Sequence, residues 1–374
     1  MEELLGRFCE EYSFVDAEWK EENGRKLLYT DRGLHYIHTC PTSYRAKGFL
    51  VEKAMDVIHK NCDLKVLPIC KANDDNYHMK DGEVLYYLQE GMRETTWERH
   101  YFNLGRSLAE FHQATRTLSW DKLYLPYRSI GTWPEMWEKK CKTYESLLDS
   151  LEKSKAFNPF EVYLFTMFTY IQVSSSTAID YLKGSGYKRL TNAISKQGKI
   201  AFQNFQDGHI LFHESGKRYI AGQYSWVLDM RTRDIGQGIK WIVRKNGWQE
   251  DKVIEFLVGY QCIAQLYPEE YSFIFAMLLY PSRFLKTVEI YSLMGDEERA
   301  LVGEDWQTPL DEELATMEQV LGQYPEAIRQ YFGVEIPEIH WLWRLPEDDN
   351  KTICICDTES SGGSYESFSD YSDC

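Results

Sequence analysis

The sequence predicts an α+β protein of two unequal lobes, a small antiparallel β lobe followed by a larger helical lobe. Three observations carry this prediction. Residues 1–88 alternate short strand patterns with one helical pattern. From Thr95 onward the apolar residues recur mostly at helical spacing. From Pro346 the chain is acidic, rich in serine and glycine and poor in aliphatic residues, so residues 346–374 are predicted to be a disordered tail.

Residues 1–88 are expected to form a small sheet with one helix. Two strands flank the turn Asp31-Arg32-Gly33, and Asp81-Gly82 forms a second tight turn. The predicted strands are Lys26–Thr30, Leu34–Thr39, Leu64–Cys70, Tyr77–Lys80 and Val84–Gln89, and the predicted helix is Arg45–His59.

Residues 89–345 are predicted to be a hinge and a helical lobe that contains one short β section. The β section, Lys199–Tyr224, is divided by Glu214-Ser215-Gly216. Ser174-Ser175-Ser176 is interpreted as a helix N-cap, because serine side chains accept hydrogen bonds from the first turn of a helix. The predicted helices are His100–Thr115, Trp133–Lys153, Pro159–Val173, Ser176–Lys183, Asp234–Val243, Gln249–Gln265, Tyr271–Leu279, Phe284–Leu293 and Asp311–Leu321.

Composition narrows the class of protein. The 374 residues are too many for one compact core and fit two lobes, and a hydrophobic content of 43% supports a buried interior. The net charge of −16 repels nucleic acid and acidic membranes, so neither is predicted as a partner. Met1–Tyr12 lacks a cationic region followed by an apolar core, so we expect no signal peptide and synthesis in the cytoplasm.

The cysteines do not predict a metal site. Most of the nine are scattered singly beside apolar residues, as buried free thiols are. Cys354-Ile355-Cys356 has no matching second pair, so a zinc site is not expected. His209 and His213 would lie about 13 Å apart on a strand, too far to share a metal ion. Asp234 is interpreted as a helix cap and loop clamp.

The segment Phe202–His209 resembles a kinase catalytic loop whose working residues are exchanged. In kinases this loop reads His-x-Asp, with an Asn five residues after the Asp. The Asp accepts the proton of the attacking hydroxyl, and the Asn holds a magnesium ion. Here Asn204 stands at the Asp place and His209 at the Asn place. Asp207 does not restore the pattern, because the Asn place would then fall at Phe212.

Three further segments extend the resemblance over about residues 25–300. Asn103–Thr115 is similar to the LGRxLAxFHxAS helix of CotS-type spore coat proteins, and Gly131–Glu135 resembles their GKWPE turn. Arg218–Ile235 resembles their LYVIDFDSxxxDxxxRDI segment. The chain therefore resembles a CotS-type spore coat protein of the aminoglycoside-phosphotransferase and choline-kinase branch of the protein-kinase-like fold.

The resemblance implies a role for each kinase place. The lysine that grips the α- and β-phosphates falls at His38, and the helix glutamate that orients this lysine falls at Glu52. The metal-binding aspartate falls at Gly222, which has no side chain. Asn204 cannot take a proton, and His209 replaces the second metal ligand. We therefore expect no catalytic residue, no bound metal and no cofactor.

This family resemblance implies synthesis in the mother cell of a spore-forming bacterium and deposition on the spore coat. The expected function is a structural or interaction role among other spore coat proteins, with crosslinks through Cys354, Cys356 and Cys374. Two alternatives stay open. One is an active small-molecule or protein kinase that uses ATP and magnesium. The other is a pseudokinase that senses a nucleotide, with an adenine-like ring at the hinge, Leu88–Gly91.

Overall fold

The computed structural model shows an α+β fold in two lobes, as the sequence predicts. The described residues up to Pro337 belong to one compact unit. The predicted tail lies outside the described residues, and so do its cysteines, Cys354, Cys356 and Cys374. The structure describes residues 2–22, 25–73, 76–82, 84–118, 122–153, 156–194, 200–337 and 339.

The small lobe is built on a five-stranded antiparallel sheet with the strand order β1-β2-β3-β6-β5. Its strands are β1 Ala17–Glu22, β2 Arg25–Thr30, β3 Gly33–Pro41, β5 Met79–Asp81 and β6 Val84–Glu90. Strands β2 and β3 form a hairpin in which Leu27 pairs with Tyr36 and Thr30 with Gly33. Gly33 has a φ of +110°, which glycine adopts at low cost. The hairpin confirms the turn predicted at Asp31-Arg32-Gly33.

Two helices accompany this sheet. The predicted helix is α2 (Gly48–Asn61), which begins after a 3₁₀ turn over Thr42–Lys47. The other helix, α1 (Glu2–Tyr12), is not among the elements expected from the sequence. Its buried residues Phe8 and Tyr12 pack against one face of the sheet, and their spacing of four residues is helical.

The segment Leu64–Cys70 differs from the prediction that it is a strand of the small sheet. Only β4 (Lys65–Val66) is a strand, and it pairs in parallel with Tyr219 and Ile220 of the large lobe. Pro68 follows two residues after this strand, and proline has no N–H to continue a strand ladder. This segment therefore joins the two lobes.

The large lobe consists mostly of helices around two short antiparallel strand pairs. The strands are β7 Ile200–Phe202, β8 Ile210–Phe212, β9 Arg218–Ile220 and β10 Trp226–Leu228. The helices are α3 His100–Ala114, α4 Trp133–Leu151, α5 Pro159–Gly184, α6 Tyr187–Ile194, α7 Arg231–Asn246, α8 Glu250–Gln261, α9 Pro268–Leu279, α10 Ser282–Leu293, α11 Asp296–Arg299 and α12 Thr308–Phe332. Strand β7 pairs with β10, and β8 pairs with β9. Helices α6 and α11 are not among the expected elements.

Helix α5 corrects the prediction of two helices separated by a serine cap. Asn158 caps the start of the helix by accepting a hydrogen bond from the Glu161 backbone N–H, 2.9 Å away. Ser174 and Ser175 are buried inside the helix, not at an end of it. The buried apolar face continues past them, for example at Ile179, so packing keeps the helix intact.

Helices α3 and α8 cross unusually closely because glycines lie at the contact. A Cβ added to Gly105 would lie 2.0 Å from the carbonyl oxygen of Phe256. A Cβ added to Gly259 would lie 2.1 Å from the carbonyl oxygen of Phe102. Backbone atoms cannot move aside as side chains do, so both positions require glycine.

Within the described part of the chain, no helix is long and apolar enough to cross a membrane.

Candidate functional site

The five kinase places predicted from the sequence do not all converge in the cleft between the lobes. His38 lies on β3 opposite Tyr87 of β6, and the two rings stack with centroids 5.0 Å apart. Burial lowers the pKa of His38 to about 4, so the imidazole is neutral at neutral pH. The place of the phosphate-binding lysine therefore carries no permanent positive charge.

His209 and Gly222 adjoin in the cleft. The backbone N–H of Gln206 donates to Nδ1 of His209 at 3.1 Å, which leaves the proton of the neutral ring on Nε2. A Cβ added to Gly222 would lie 2.6 Å from Cδ2 and 3.0 Å from Nε2 of that ring. The imidazole thus fills the space into which a side chain at position 222 would extend. Burial lowers the pKa of His209 to about 3, so this ring is also neutral.

Asn204 lies at the surface of the loop between β7 and β8. Its side chain is exposed and has no hydrogen bond or ion pair with any other described residue. The neighbouring backbone is held, since the Gln203 N–H donates to the carbonyl oxygen of Ser225 at 2.7 Å. A neutral amide at the position of the catalytic base cannot accept a proton from a hydroxyl.

Glu52 does not form the contact expected of the helix glutamate. Its side chain on α2 is exposed, and among the described residues no ion pair joins it to His38. A buried lysine, Lys47, lies at the start of the same helix, and its Nζ donates to the Tyr224 carbonyl oxygen at 2.7 Å. Burial lowers the pKa of Lys47 to about 7. No local pattern distinguishes Lys47 in the sequence, because lysines beside helices are ordinarily exposed.

Arg25 of β2 reaches across the cleft to the loop that holds Asn204. Its guanidinium bonds to the Glu94 carboxylate, and its Nη2 lies 3.9 Å from Oδ1 of Asp207. Nζ of Lys245 lies 3.8 Å from the other oxygen of Asp207. Asp207, the other candidate for the base, is therefore a carboxylate that bridges cations from both lobes.

A buried amide network fixes the segment that carries Gly222. Oε1 of Gln89 accepts a hydrogen bond from the Gly222 N–H at 2.8 Å. Nε2 of Gln89 donates to Oε1 of Gln223 at 2.6 Å and to the Leu67 carbonyl oxygen at 3.0 Å. Nε2 of Gln223 donates to the same carbonyl at 2.6 Å. These bonds hold the strand that leads into the hinge against the large lobe.

Asp234 acts as a clamp below the cleft and does not face it. Its carboxylate accepts a hydrogen bond from the Phe202 N–H at 2.9 Å, which fixes β7 to α7. It also lies 2.9 Å from Nε2 of His112, while the Tyr260 hydroxyl lies 2.8 Å from Nδ1 of that ring. Burial lowers the pKa of His112 to about 3, so a neutral ring bridges the two groups. His112 belongs to the helix motif that carries the family resemblance.

The described part of the chain contains no group of three histidine, cysteine or acidic side chains arranged to hold a metal ion. His209 lies in a 3₁₀ turn, Asp207–His209, and His213 lies beyond the end of β8. Nδ1 of His213 is 2.8 Å from the hydroxyl of Ser215, a local contact within the turn.

Several solved structures share this fold. An aminoglycoside phosphotransferase from Alicyclobacillus acidocaldarius has a TM-score of 0.58 at 11% identity, covering 86% of this chain and 94% of that one. A spectinomycin phosphotransferase in complex with ADP and spectinomycin gives 0.52 at 12% identity, over 85% and 93%. An ethanolamine kinase of Plasmodium vivax gives 0.51 at 12% identity, over 81% and 82%. They confirm the predicted aminoglycoside phosphotransferase-like fold.

The sequence comparisons identify the family. The chain is 23% identical over 244 residues to the endospore coat-associated protein YutH of Bacillus subtilis (strain 168), covering 64% of this chain and 69% of that protein. Residues 8–324 match the family described as "Spore coat putative kinase YutH". Since this match covers most of the chain and the solved structures share its fold, the chain belongs to the YutH family of spore coat proteins with a kinase-like fold.

Proposed function

We propose that this protein is a spore coat-associated, kinase-like protein that does not transfer phosphoryl groups and acts as a structural or interaction component among other coat proteins. Family membership and fold support the association with the coat and the kinase-like architecture. The chemistry of the cleft supports the absence of catalysis.

The contact between His209 and Gly222 carries this proposal. Magnesium needs oxygen ligands at the transferred phosphate, and a kinase supplies them from these two places. Position 222 offers no carboxylate, and the imidazole of His209 takes the space beside it. Restoring a carboxylate at one place therefore requires removing the ring at the other.

The remaining kinase places add to this argument. The neutral ring of His38 gives no fixed cation for the phosphates, and Asn204 gives no base for the hydroxyl. Phosphoryl transfer depends almost entirely on positioning and on neutralising charge, so losing these groups together removes most of its catalytic power.

A phosphotransfer assay tests the proposal. We expect purified protein with magnesium and ATP to release no phosphate above background. The matched control is Asn204→Ala, a change at an exposed side chain that should leave folding intact. Turnover by the native protein that Asn204→Ala abolishes would show a working catalytic loop and overturn the proposal. The combined variant His38→Lys, Asn204→Asp, His209→Asn and Gly222→Asp should recover little activity, because the surrounding hydrogen bonds fit the present side chains.

Calorimetry tests the nucleotide-sensing alternative. We expect magnesium-dependent ATP binding to be absent or weak, because position 222 supplies no carboxylate and His38 no permanent cation. An affinity in the low micromolar range that magnesium enhances would favour a nucleotide sensor and contradict this expectation.

Location is tested separately from chemistry. A fluorescent fusion produced during sporulation of Bacillus subtilis should collect at the spore surface, and the Asn204→Ala fusion should collect there equally. Fluorescence that stays throughout the mother cell would contradict the coat association. A loss confined to Asn204→Ala would instead tie deposition to the catalytic loop.

A further inference from the structure

Tyr36 faces the part of the cleft next to the hinge. It lies two residues before His38 on β3 and points to the same side of the sheet, because side chains alternate along a strand. His38 pairs with Tyr87 and Tyr36 with Gln89, so Tyr36 is closer to the end of β6, where the chain enters the large lobe. The lysine place on this strand faces the α- and β-phosphates in kinases. Tyr36 therefore faces the place where a kinase would hold the adenine ring of its nucleotide.

The phenol ring of Tyr36 fills the place of the adenine ring. The residue is 4% exposed and lies in a buried cluster with Leu27 and Leu67 on one side and Leu211 and Ala221 of the large lobe on the other. Apolar side chains that close on a flat ring from two lobes are what a purine-binding cleft offers to its ligand. Here the ring belongs to the protein itself.

The hydroxyl of Tyr36 is anchored just after the hinge. Its oxygen lies 2.6 Å from Oε1 of Glu94 and 3.3 Å from the carbonyl oxygen of Met92. Arg25 bonds to the same Glu94 carboxylate and reaches toward Asp207 of the large lobe. A hydrogen bond to a charged carboxylate is stronger than one between neutral groups. The ring is thus tied to residues that also connect the lobes.

The hinge backbone is also engaged. The N–H of Gly91 donates to the carbonyl oxygen of Leu34 at 2.7 Å, and the N–H of Glu90 donates to that of Pro68 at 3.3 Å. A base bound at this hinge would have to compete for both groups, since backbone N–H groups are among the polar contacts that orient a ligand in a cleft.

We propose that Tyr36 closes the adenine-binding part of the cleft from within, and that the contacts of Arg25 with Glu94 and with Asp207 fasten the two lobes over its ring. This inference deepens the proposed function by assigning a reason for nucleotide exclusion that is independent of the metal places. Binding of an adenine ring requires Tyr36 to leave its buried position and to break its bond with Glu94. The ligand class that the emptied space would take is a purine nucleoside, bound without magnesium.

Removing the ring tests this inference. Calorimetry with adenosine and without magnesium should detect no binding to the native protein at about 1 mM ligand. Tyr36→Ala should bind adenosine at least tenfold more tightly than the native protein. Tyr36→Phe keeps the ring and loses only the hydroxyl, so it should stay closed. Tyr86→Ala is the matched control, because it removes a tyrosine that packs on the opposite face of the same sheet.

The outcomes are distinct. Adenosine that binds the native protein as tightly as Tyr36→Ala, or that binds neither, overturns the inference. If Tyr36→Ala does not fold, Tyr36→Val provides a smaller truncation that replaces it in the same titration, with the same overturning results. Phosphate release from magnesium-ATP by the same preparations is measured in parallel. Turnover by the native protein would defeat the proposed function, whereas adenosine binding by the native protein would defeat only the closure by Tyr36.

Discussion

At the scale of single residues, the imidazole of His209 takes the volume of the cleft into which a side chain at position 222 would extend. Gly222 has a φ of +75°, in the left-handed region that favours glycine, and Cδ2 of His209 lies only 2.6 Å from where its Cβ would be. Two of the four altered kinase places, His209 and Gly222, are therefore physically coupled. Asn204, in contrast, is exposed and independent of both.

The coupling predicts a result that is not additive. Gly222→Asp should lower the free energy of unfolding by about 2–4 kcal/mol, through the left-handed backbone and the clash with the ring. His209→Asn in the same chain should return about 1–2 kcal/mol, because the shorter side chain vacates the space. Urea unfolding of both single variants and the double variant measures the coupling. A double variant whose loss equals the sum of the two single losses would show that the ring is not the obstacle.

The buried histidines predict acid sensitivity. The pKa of His209 falls to about 3 in the fold, whereas an unfolded histidine has a pKa of about 6.5. Below a pH of about 6.5 the unfolded chain binds more protons than the native state. The contribution of His209 to stability is therefore complete above this pH and declines as the pH falls toward 3. From pH 7 to pH 5 this residue alone should account for a loss of roughly 2 kcal/mol.

Urea unfolding at several pH values measures this effect. His209→Gln should lose less stability than the native protein between pH 7 and pH 5, because one titrating group is gone. His59→Gln, a change at an exposed histidine, serves as the control. Equal slopes for the native protein and His209→Gln would rule out His209 as a source of the acid sensitivity.

At the scale of elements, the crossing of α3 and α8 depends on the glycine of the motif that carries the family resemblance. Gly105 allows the α8 backbone to approach, and Gly259 allows the reverse approach. The same helix α3 holds His112, which connects to Asp234 and so to β7. The motif's small residue and its histidine therefore both serve packing beneath the cleft.

Alanine at this crossing should be costly. Gly105→Ala should lower the free energy of unfolding by about 2–3 kcal/mol, because the added Cβ meets a backbone carbonyl. Gly322→Ala in α12 is the matched control, since nothing lies within 4 Å of its added Cβ. That change should stabilise the fold by roughly 0.5–1 kcal/mol through helix propensity. Chemical unfolding of both variants decides, and equal effects would refute the close crossing.

Most elements could be predicted from periodicity, because a helix or strand repeats its apolar residues over a short stretch. The exceptions have physical reasons. The Leu64–Cys70 segment has the pattern of a strand, but Pro68 interrupts it, and Lys65–Val66 pair with β9 of the large lobe. The segment therefore lies between the lobes. Ser174-Ser175-Ser176 has the composition of a helix start, but the apolar face on either side continues one helix. Contacts distant in sequence override both local signals.

At the scale of the whole molecule, the two lobes are also connected by hydrogen bonds outside the hinge. The Leu67 N–H donates to the Ile220 carbonyl oxygen at 2.9 Å, and Nδ2 of Asn61 donates to that of Ala114 at 2.9 Å. Together with the bond from Lys47 to the backbone of Tyr224, they hold the small lobe against helix α3 and the β segments of the large lobe. Such a connection suits a component that presents a fixed surface.

The cysteines near the end of the chain predict attachment to the coat. Cytoplasmic thiols stay reduced, so bonds through Cys354, Cys356 and Cys374 would form only after deposition in a more oxidising layer. Truncation after Leu345 should increase the fraction of protein that detergent extracts from spores without reductant. The melting temperatures of both purified forms are the control for folding. Equal extraction of the truncated and complete chains would refute the attachment and leave the fold assignment untouched.

The sequence by itself determined the order of the two lobes and the chemical group at each kinase place, because periodicity and motif spacing are local properties. Only the tertiary structure decided what occupies the cleft. Gln89 and Gly222 are 133 residues apart, and Lys47 and Tyr224 are 177 apart. The burial of Tyr36 likewise depends on side chains from both lobes. Such contacts exist only once the lobes have packed, and no local pattern encodes them.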